Sequence, residues 1–344
     1  MSIQNESLYI IGAGSSAEYN LPIWKALQGE LKTLLLSNKI QIEKRGSSLK
    51  EEDRQGIIDL LDLVGKNYNT LDQMISQECL TLQYGVDIEN VIWDHVAYIL
   101  LKEEVNAKKI IDKGEDWLTS IKNSIIIDSK NDIEKTCEAV STFFKNNTFL
   151  IYNYDRIVEY VFWEKLIVDL RDNNTQKELQ QKFNILQDLT SIISSKIFHP
   201  HSDLGTRFLQ LKEKQLYLHT ASILEYRKKS SSDGWEFGTE NEGRHINSSK
   251  GLMSCYDCSQ DSEIINRFNR RGSTYQKIYI MGIGTMGLEE NLNKIIISHP
   301  ENVQKILYTC FEERDQPIYE TYLKYRFPNA VLNKIKTCSE FYRI

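Results

Sequence analysis

An apolar run from Leu8 to Ile11 stops at Gly12-Ala13-Gly14-Ser15-Ser16-Ala17, and apolar residues then recur at helical spacing at Trp24, Leu27, Leu31 and Leu34. A run this short, bounded by glycine, suits a strand buried on both faces, so the segment reads as strand, glycine turn and helix. Pro22 is expected in the first turn of that helix, where a missing N–H costs no intrahelical bond. The turn matches G-x-G-x-x-A, in which absent side chains let phosphate oxygens reach backbone N–H groups at the positive end of a helix. Gly12, Ala13, Gly14, Ser15 and Ser16 are therefore candidates for holding a pyrophosphate. A tight turn whose serines cap the helix explains the same residues without a ligand.

Further strand-like runs occur at 148–155, 196–201, 277–284 and 305–310, most followed by helical patterns such as Ile157, Val158, Val161 and Phe162. Strands alternating with helices predict an α/β fold, a Rossmann-like parallel sheet with helices on both faces. From about residue 50 to 145 the spacing is helical throughout, with one stripe of Ile57, Leu60, Leu61 and Val64 and another of Ile88, Val91, Ile92, Val96, Ile99 and Leu100. The expected organisation is a Rossmann-like domain of residues 1–45 and 146–344, with a helical subdomain at 46–145 inserted in it. The stretch 229–251, rich in Ser, Gly and charge, is read as a mobile lid or a disordered loop.

A chain of 344 residues holds one large or two smaller domains. Its 42 Lys and Arg against 48 Asp and Glu, a formal charge of −6, include no basic block to track a phosphate backbone, so nucleic acid is not expected as a direct partner. Neither a secretory leader nor an apolar run near the ~20 residues of a membrane span is found, and a cytoplasmic location is expected. Six cysteines are too few for a disulfide framework at this length.

A second glycine loop, Gly282-Ile283-Gly284-Thr285-Met286-Gly287, again follows a strand. Glu289 and Glu290 are expected in the first helical turn, where carboxylates would repel a phosphate, so this loop is assigned to sugar or base contacts. A plain helix start with Thr285 as N-cap is the alternative. A dehydrogenase would place an acid about 20 residues past the first loop, at the end of a second strand. Glu43 arrives late and after a very short apolar run, which disfavours that class.

Asn153 and Asp155 fall just past a strand end, the edge where ligands bind in open parallel sheets. Taken alone, the two read first as structural, Asp155 as the N-cap of a helix beginning near Arg156 and Asn153 as a turn residue; the other motifs shift that balance. His199 and His201 stand at another strand end, and imidazole suits proton transfer near neutrality, so either could be a base. His95, on the Ile88–Leu100 stripe, reads as a core histidine.

These stretches, "GAGSS" with "NLP", then "NYD", then a His pair followed by Leu204 and Gly205, each after a strand, resemble the sirtuin family, and most closely the sirtuin-like NAD hydrolases of bacterial anti-phage defence. The resemblance covers about residues 7–24, 148–160, 196–205 and 277–292. It implies that Gly12, Ala13, Gly14, Ser16 and Pro22 form the cofactor loop, with Asn153 and Asp155 beside the nicotinamide and its ribose. It further implies His201 as general base and Gly282, Gly284 and Thr285, with Glu289 nearby, on the adenosine half. Asn20 stands where the family usually has glycine, Ile151 where threonine is frequent, and Ser202 where glycine follows the catalytic histidine; the last leaves the base open between His199 and His201.

The activity implied is cleavage of the nicotinamide–ribose bond of NAD to nicotinamide and ADP-ribose, without a metal. In such systems NAD depletion halts the infected cell, an abortive infection, which implies a homo-oligomer and a partner ATPase or phage-sensing protein. Family deacylases carry a zinc on two C-x-x-C pairs; this chain has one, Cys255 to Cys258, which disfavours that activity. A sensor that binds NAD or ADP-ribose without turnover is the remaining alternative.

Overall fold

The computed structural model describes residues 6–37, 51–63, 74, 88–129, 132–200, 258–272 and 274–343. Six strands, β1 (Glu6–Ile11), β2 (Asn147–Ile151), β3 (Ile197–Phe198), β4 (Tyr275–Met281), β5 (Lys305–Thr309) and β6 (Val331–Ile335), form one sheet. Every pairing is parallel and the order is β3-β2-β1-β4-β5-β6. This is the Rossmann-like α/β fold. Its strand order reverses between β1 and β4, so the chain leaves their carboxyl ends in opposite directions and opens a crevice there.

Helices connect the strands: α1 (Ala13–Ser16), α2 (Trp24–Ser37), α3 (Glu51–Leu61), α4 (Ile88–Lys113), α5 (Trp117–Ile125) and α6 (Ile133–Asn146) precede β2. Between β2 and β3 come α7 (Ile157–Glu159), a π-turn (Tyr160–Glu164), α8 (Lys165–Asn173), α9 (Gln176–Gln181) and α10 (Phe183–Lys196). The later strands are joined by α11 (Cys258–Asn269), α12 (Thr285–Lys294) and α13 (Gln316–Arg326), and a 3-10 turn (Cys338–Arg343) follows β6.

Two hydrophobic cores lie on the two faces of the sheet. Successive strand residues point to opposite faces, and on β1 Tyr9 and Ile11 enter one core while Leu8 and Ile10 enter the other. The first core takes its helical side from α2 through α6, α8 and α10, including Leu31, Ile57, Val96, Ile121 and Phe144, so the helices of 51–146 pack into the sheet's own core. α11, α12 and α13 cover the second face through Phe268, Leu292 and Leu323. Under the first face Tyr9 stacks between Phe149 and Tyr279, with ring centroids 4.6 and 4.5 Å away, because the parallel register sets all three side by side.

Three local expectations are corrected. Pro22 lies before α2 rather than in its first turn, since Ile23 supplies the first carbonyl that the helix uses, to Ala26 and Leu27. Gly284, not Thr285, is the N-cap of α12. Strand β6 has no counterpart among the apolar runs: it is an edge strand, exposed at Val331 and fully buried only at Ile335, so its sequence lacks the continuous apolar stretch of an interior strand. No helix among the described residues is long and apolar enough to cross a membrane.

Candidate functional site

The two glycine loops meet at the carboxyl ends of β1 and β4. Gly12 N–H donates to the carbonyl of Met281 and Gly14 N–H to that of Gly282, both at 2.8 Å. A Cβ on Gly12 would stand 2.7 Å from Ile283 Cγ1, and one on Gly14 would stand 2.9 Å from the Gly282 oxygen. Gly282 itself has φ +68, and its N–H donates to Thr309 Oγ1 at 2.6 Å. Close packing of backbone on backbone is thus sufficient reason for glycine at 12, 14 and 282. Ala13, Gly14 and Gly284 remain exposed along the rim of the crevice.

Past the first loop, Ser15 is buried and its hydroxyl closes the turn on the Gly12 carbonyl at 2.7 Å. Asn20 takes a left-handed backbone, φ +63, a conformation that asparagine tolerates far better than most side chains. That is how asparagine fills a position where the resembled family has glycine. Tyr19 is fully buried and donates to Asp116 Oδ1 at 2.7 Å, which fastens the loop to the N-cap of α5. Burial and the neighbouring Asp116 hold the Tyr19 phenol well above its usual range, so it acts as a permanent donor.

The start of α12 differs from the expectation of a carboxylate-guarded end. Its first turn, Thr285 to Leu288, contains no acid; Glu289 is the fifth helical residue and is exposed. The N-cap Gly284 uses no side chain, and nothing stands within 4 Å of where its Cβ would be. The N–H groups that begin a helix have no intrahelical acceptor, so this end is compatible with an anion as well as with sugar contacts.

Ser16 is the centre of a buried relay. Its hydroxyl accepts from Asn153 Nδ2 at 2.6 Å and donates to Asp155 Oδ2 at 2.7 Å, although the partners are 137 and 139 residues away. Both partners follow the end of β2, the strand beside β1, so sheet register carries them to the first loop. Asp155 Oδ1 also accepts from the N–H of Ile157 at 3.2 Å, and the N-cap of α7 is Arg156 rather than Asp155, so Asp155 joins the relay from just before the helix. The amide of Asn153 is spent on Ser16, while its Oδ1 is buried with no hydrogen-bond partner among the described residues. Such an orphan acceptor is costly unless a ligand or water meets it.

Burial raises the Asp155 pKa above the usual carboxylate range, against the lowering effect of the Ser16 and Ile157 hydrogen bonds. The folded protein therefore binds this proton more tightly than the unfolded chain, in which aspartate titrates near ~3.9. The stabilisation belongs to the protonated form and is lost as pH rises from about 4 through the raised folded pKa. Asp155→Asn is expected to remove that part of the decline; urea unfolding of both proteins across this pH range checks it, and identical pH slopes would refute it.

His199 is buried, and both ring nitrogens are engaged: Nδ1 lies 3.1 Å from the Asn153 carbonyl and Nε2 2.6 Å from Glu159 Oε1. A carbonyl only accepts, so Nδ1 carries a proton, and a second proton must lie between Nε2 and Glu159. His199 is thus a brace across the "NYD" turn rather than a base open to a substrate. His201, Leu204, Gly205, Cys255 and the stretch 229–251 lie outside the described residues. Beneath the turn, Arg156 pairs with Glu104 of α4, Nη2 to Oε2 at 2.8 Å, with both side chains wholly buried. Among the described residues no group of three or more His, Cys, Asp or Glu is arranged to hold a metal ion.

Sequence reasoning passed over Glu159 and the Arg156–Glu104 pair. Glu159 is an acid within the otherwise apolar run Ile157–Trp163, and an acid in an apolar stretch signals a buried partner. Glu104 interrupts the buried stripe Leu100, Ala107 and Ile111 of α4, and an acid in an apolar stripe signals a buried partner. Compared with known proteins, the sequence matches no family model and no curated protein.

Proposed function

We propose that the chain is an NAD hydrolase, which breaks the bond between nicotinamide and ribose and transfers the ADP-ribosyl group to water. The observation that carries this reading is the relay of Asn153, Ser16 and Asp155: three residues matched by the sirtuin resemblance, from two distant motifs, are hydrogen-bonded to one another at the carboxyl ends of neighbouring parallel strands. That edge is where Rossmann-like sheets take nucleotides.

In this reading the exposed rim of Ala13, Gly14 and Gly284, with the open start of α12, receives the pyrophosphate and adenosine half. Asn153 Oδ1, already buried and unmatched, accepts from a donor on the nicotinamide riboside. Ser16 holds the Asn153 amide nitrogen and so fixes the side chain in the orientation that leaves Oδ1 unmatched. As the C1′–N bond breaks, its electron pair leaves with nicotinamide and positive charge develops on the ribose. A water oxygen then bonds to C1′ and its proton passes to a base, for which the resemblance names His201. Asp155 supplies a proton-sharing partner behind Ser16 and negative charge when ionised.

On this reading NAD is the substrate, and the wider assignment, an abortive-infection effector held off by oligomerisation or by a partner ATPase or phage-sensing protein, rests on the resemblance alone. Nicotinamide release from NAD by the purified protein is the direct test, measured also at high protein concentration. Release by the wild type, slowed at least ~100-fold in Asn153→Ala and in His201→Ala, is the expected result. NAD bound but never cleaved would convert the reading to a binding module, and absence of NAD binding would overturn it.

A further inference from the structure

A second concavity lies away from the glycine loops, enclosed by the end of α4, by α5, α6 and α8, with a volume of about 280 Å³. That is close to the lower bound of ordinary small-molecule pockets, ~300 Å³. Its polar groups differ sharply in exposure. At the buried end stand Lys122, whose side chain is 1% exposed, and Thr119, which is 2% exposed. Thr119 Oγ1 is buried with no hydrogen-bond partner among the described residues, and Thr119 is one of the residues that line this cavity. Thr136 beside it is satisfied, donating to the Ser129 carbonyl at 2.6 Å.

Lys122 Nζ bonds Asp169 Oδ2, and an ammonium has three N–H donors. Asp169 is shared: its Oδ1 takes Lys165 Nζ at 3.2 Å, and Lys165 also reaches Asp112 at 3.8 Å. Farther out the lining turns acidic, with the side chains of Asp112 and Asp172 43% and 66% exposed. Donors at the base and carboxylates at the mouth match a molecule with the opposite order of charge. Three aspartates against two lysines also make the lining a poor site for a purely anionic ligand.

We propose that this cavity is a binding site for a small zwitterion of the amino-acid class, its carboxylate inward on Lys122 and Thr119 and its ammonium outward between Asp112 and Asp172. Burial pulls the Lys122 pKa down while Asp169 pulls it back, and an incoming carboxylate adds to the second effect. The unmatched Thr119 hydroxyl gains an acceptor on binding. The site uses none of the residues of the proposed NAD site, so it stands or falls independently of that reading.

The test titrates the intact protein with 5-aminopentanoate, and with pentanoate and pentylamine as single-charge probes, by calorimetry or ligand-observed NMR. Saturable binding of 5-aminopentanoate with Kd at or below about 1 mM, tighter than either single-charge probe, is expected. Thr119→Val keeps the side-chain shape, breaks no existing side-chain hydrogen bond and should weaken binding ~5-fold, the worth of about one hydrogen bond. Lys122→Met should abolish binding, and Asp112→Asn with Asp172→Asn should reduce the affinity for the zwitterion to that for pentanoate. No binding to the wild type up to about 10 mM would overturn the proposal. So would tighter binding of pentylamine, or an affinity untouched by Thr119→Val.

Discussion

Gly282→Ala is expected to destabilise the fold by more than about 4 kcal/mol, beyond the range of ordinary substitutions. At φ +68 an L side chain is strained whatever the space around it. Here the space is also occupied, because the added Cβ would lie 1.9 Å from Ser15 N and 2.5 Å from Gly14 C. Both are backbone atoms of the opposing loop and cannot swing aside as a side chain would. Relief requires the loops to separate, which breaks the Gly12–Met281 and Gly14–Gly282 hydrogen bonds and withdraws Ser16 from Asn153 and Asp155. Gly284→Ala, two residues on in the same motif, meets nothing within 4 Å and should cost no more than about 1 kcal/mol, the difference between glycine and alanine at an N-cap. Urea unfolding of the pair is the measurement, and equal stability of the two variants would contradict the packed-loop geometry.

Glu104→Leu is expected to cost about 3–5 kcal/mol, the usual penalty for removing one member of a buried ion pair. The Arg156 guanidinium is wholly buried and receives Glu104 on two nitrogens, Nη2 at 2.8 Å and Nε at 3.4 Å. Deleting the carboxylate leaves the charge in a low-dielectric interior without the group that balanced it. Adding Arg156→Met should return most of the loss, since an apolar pair of similar volume avoids the desolvation of both charges. Thermal unfolding of the single and double variants decides it: a double variant no more stable than the single one would show that the ion pair is not the source of the cost. Arg156 directly follows Asp155, so the single variant should also lose nicotinamide release if the proposed activity holds.

Much of the sheet was legible in the chain. Strands β1, β2, β4 and β5 are apolar runs because both of their faces are covered, and β3 shows as the short run before "HPH". The edge strand β6 escaped notice because solvent on one side permits Asn333 and Lys334 in it. The amphipathic helices announced themselves by spacing, but not that their apolar stripes enter the sheet's own core, since a stripe records that a face is covered and not by what.

The site divides in the same way. That Gly12, Ser16, Asn153 and Asp155 stand at strand ends follows from sequence alone, because glycine turns and strand termini are set by neighbouring residues. Their joining across 139 residues is set by the strand order β3-β2-β1-β4 and the register of β1 on β2. The histidine pair could not be resolved from its spacing; only the packed structure shows that Glu159 and the Asn153 carbonyl occupy both nitrogens of His199. The glycines likewise carried a ligand-binding signature that the fold explains first by the contact of two loops. Local sequence determined where the chain extends, turns and coils, since those preferences depend on steric and apolar patterning within a few residues. Which buried polar groups meet, and which are left without a partner, was decided by tertiary structure, because hydrogen bonding inside a low-dielectric core depends on distances that the linear order of residues does not contain.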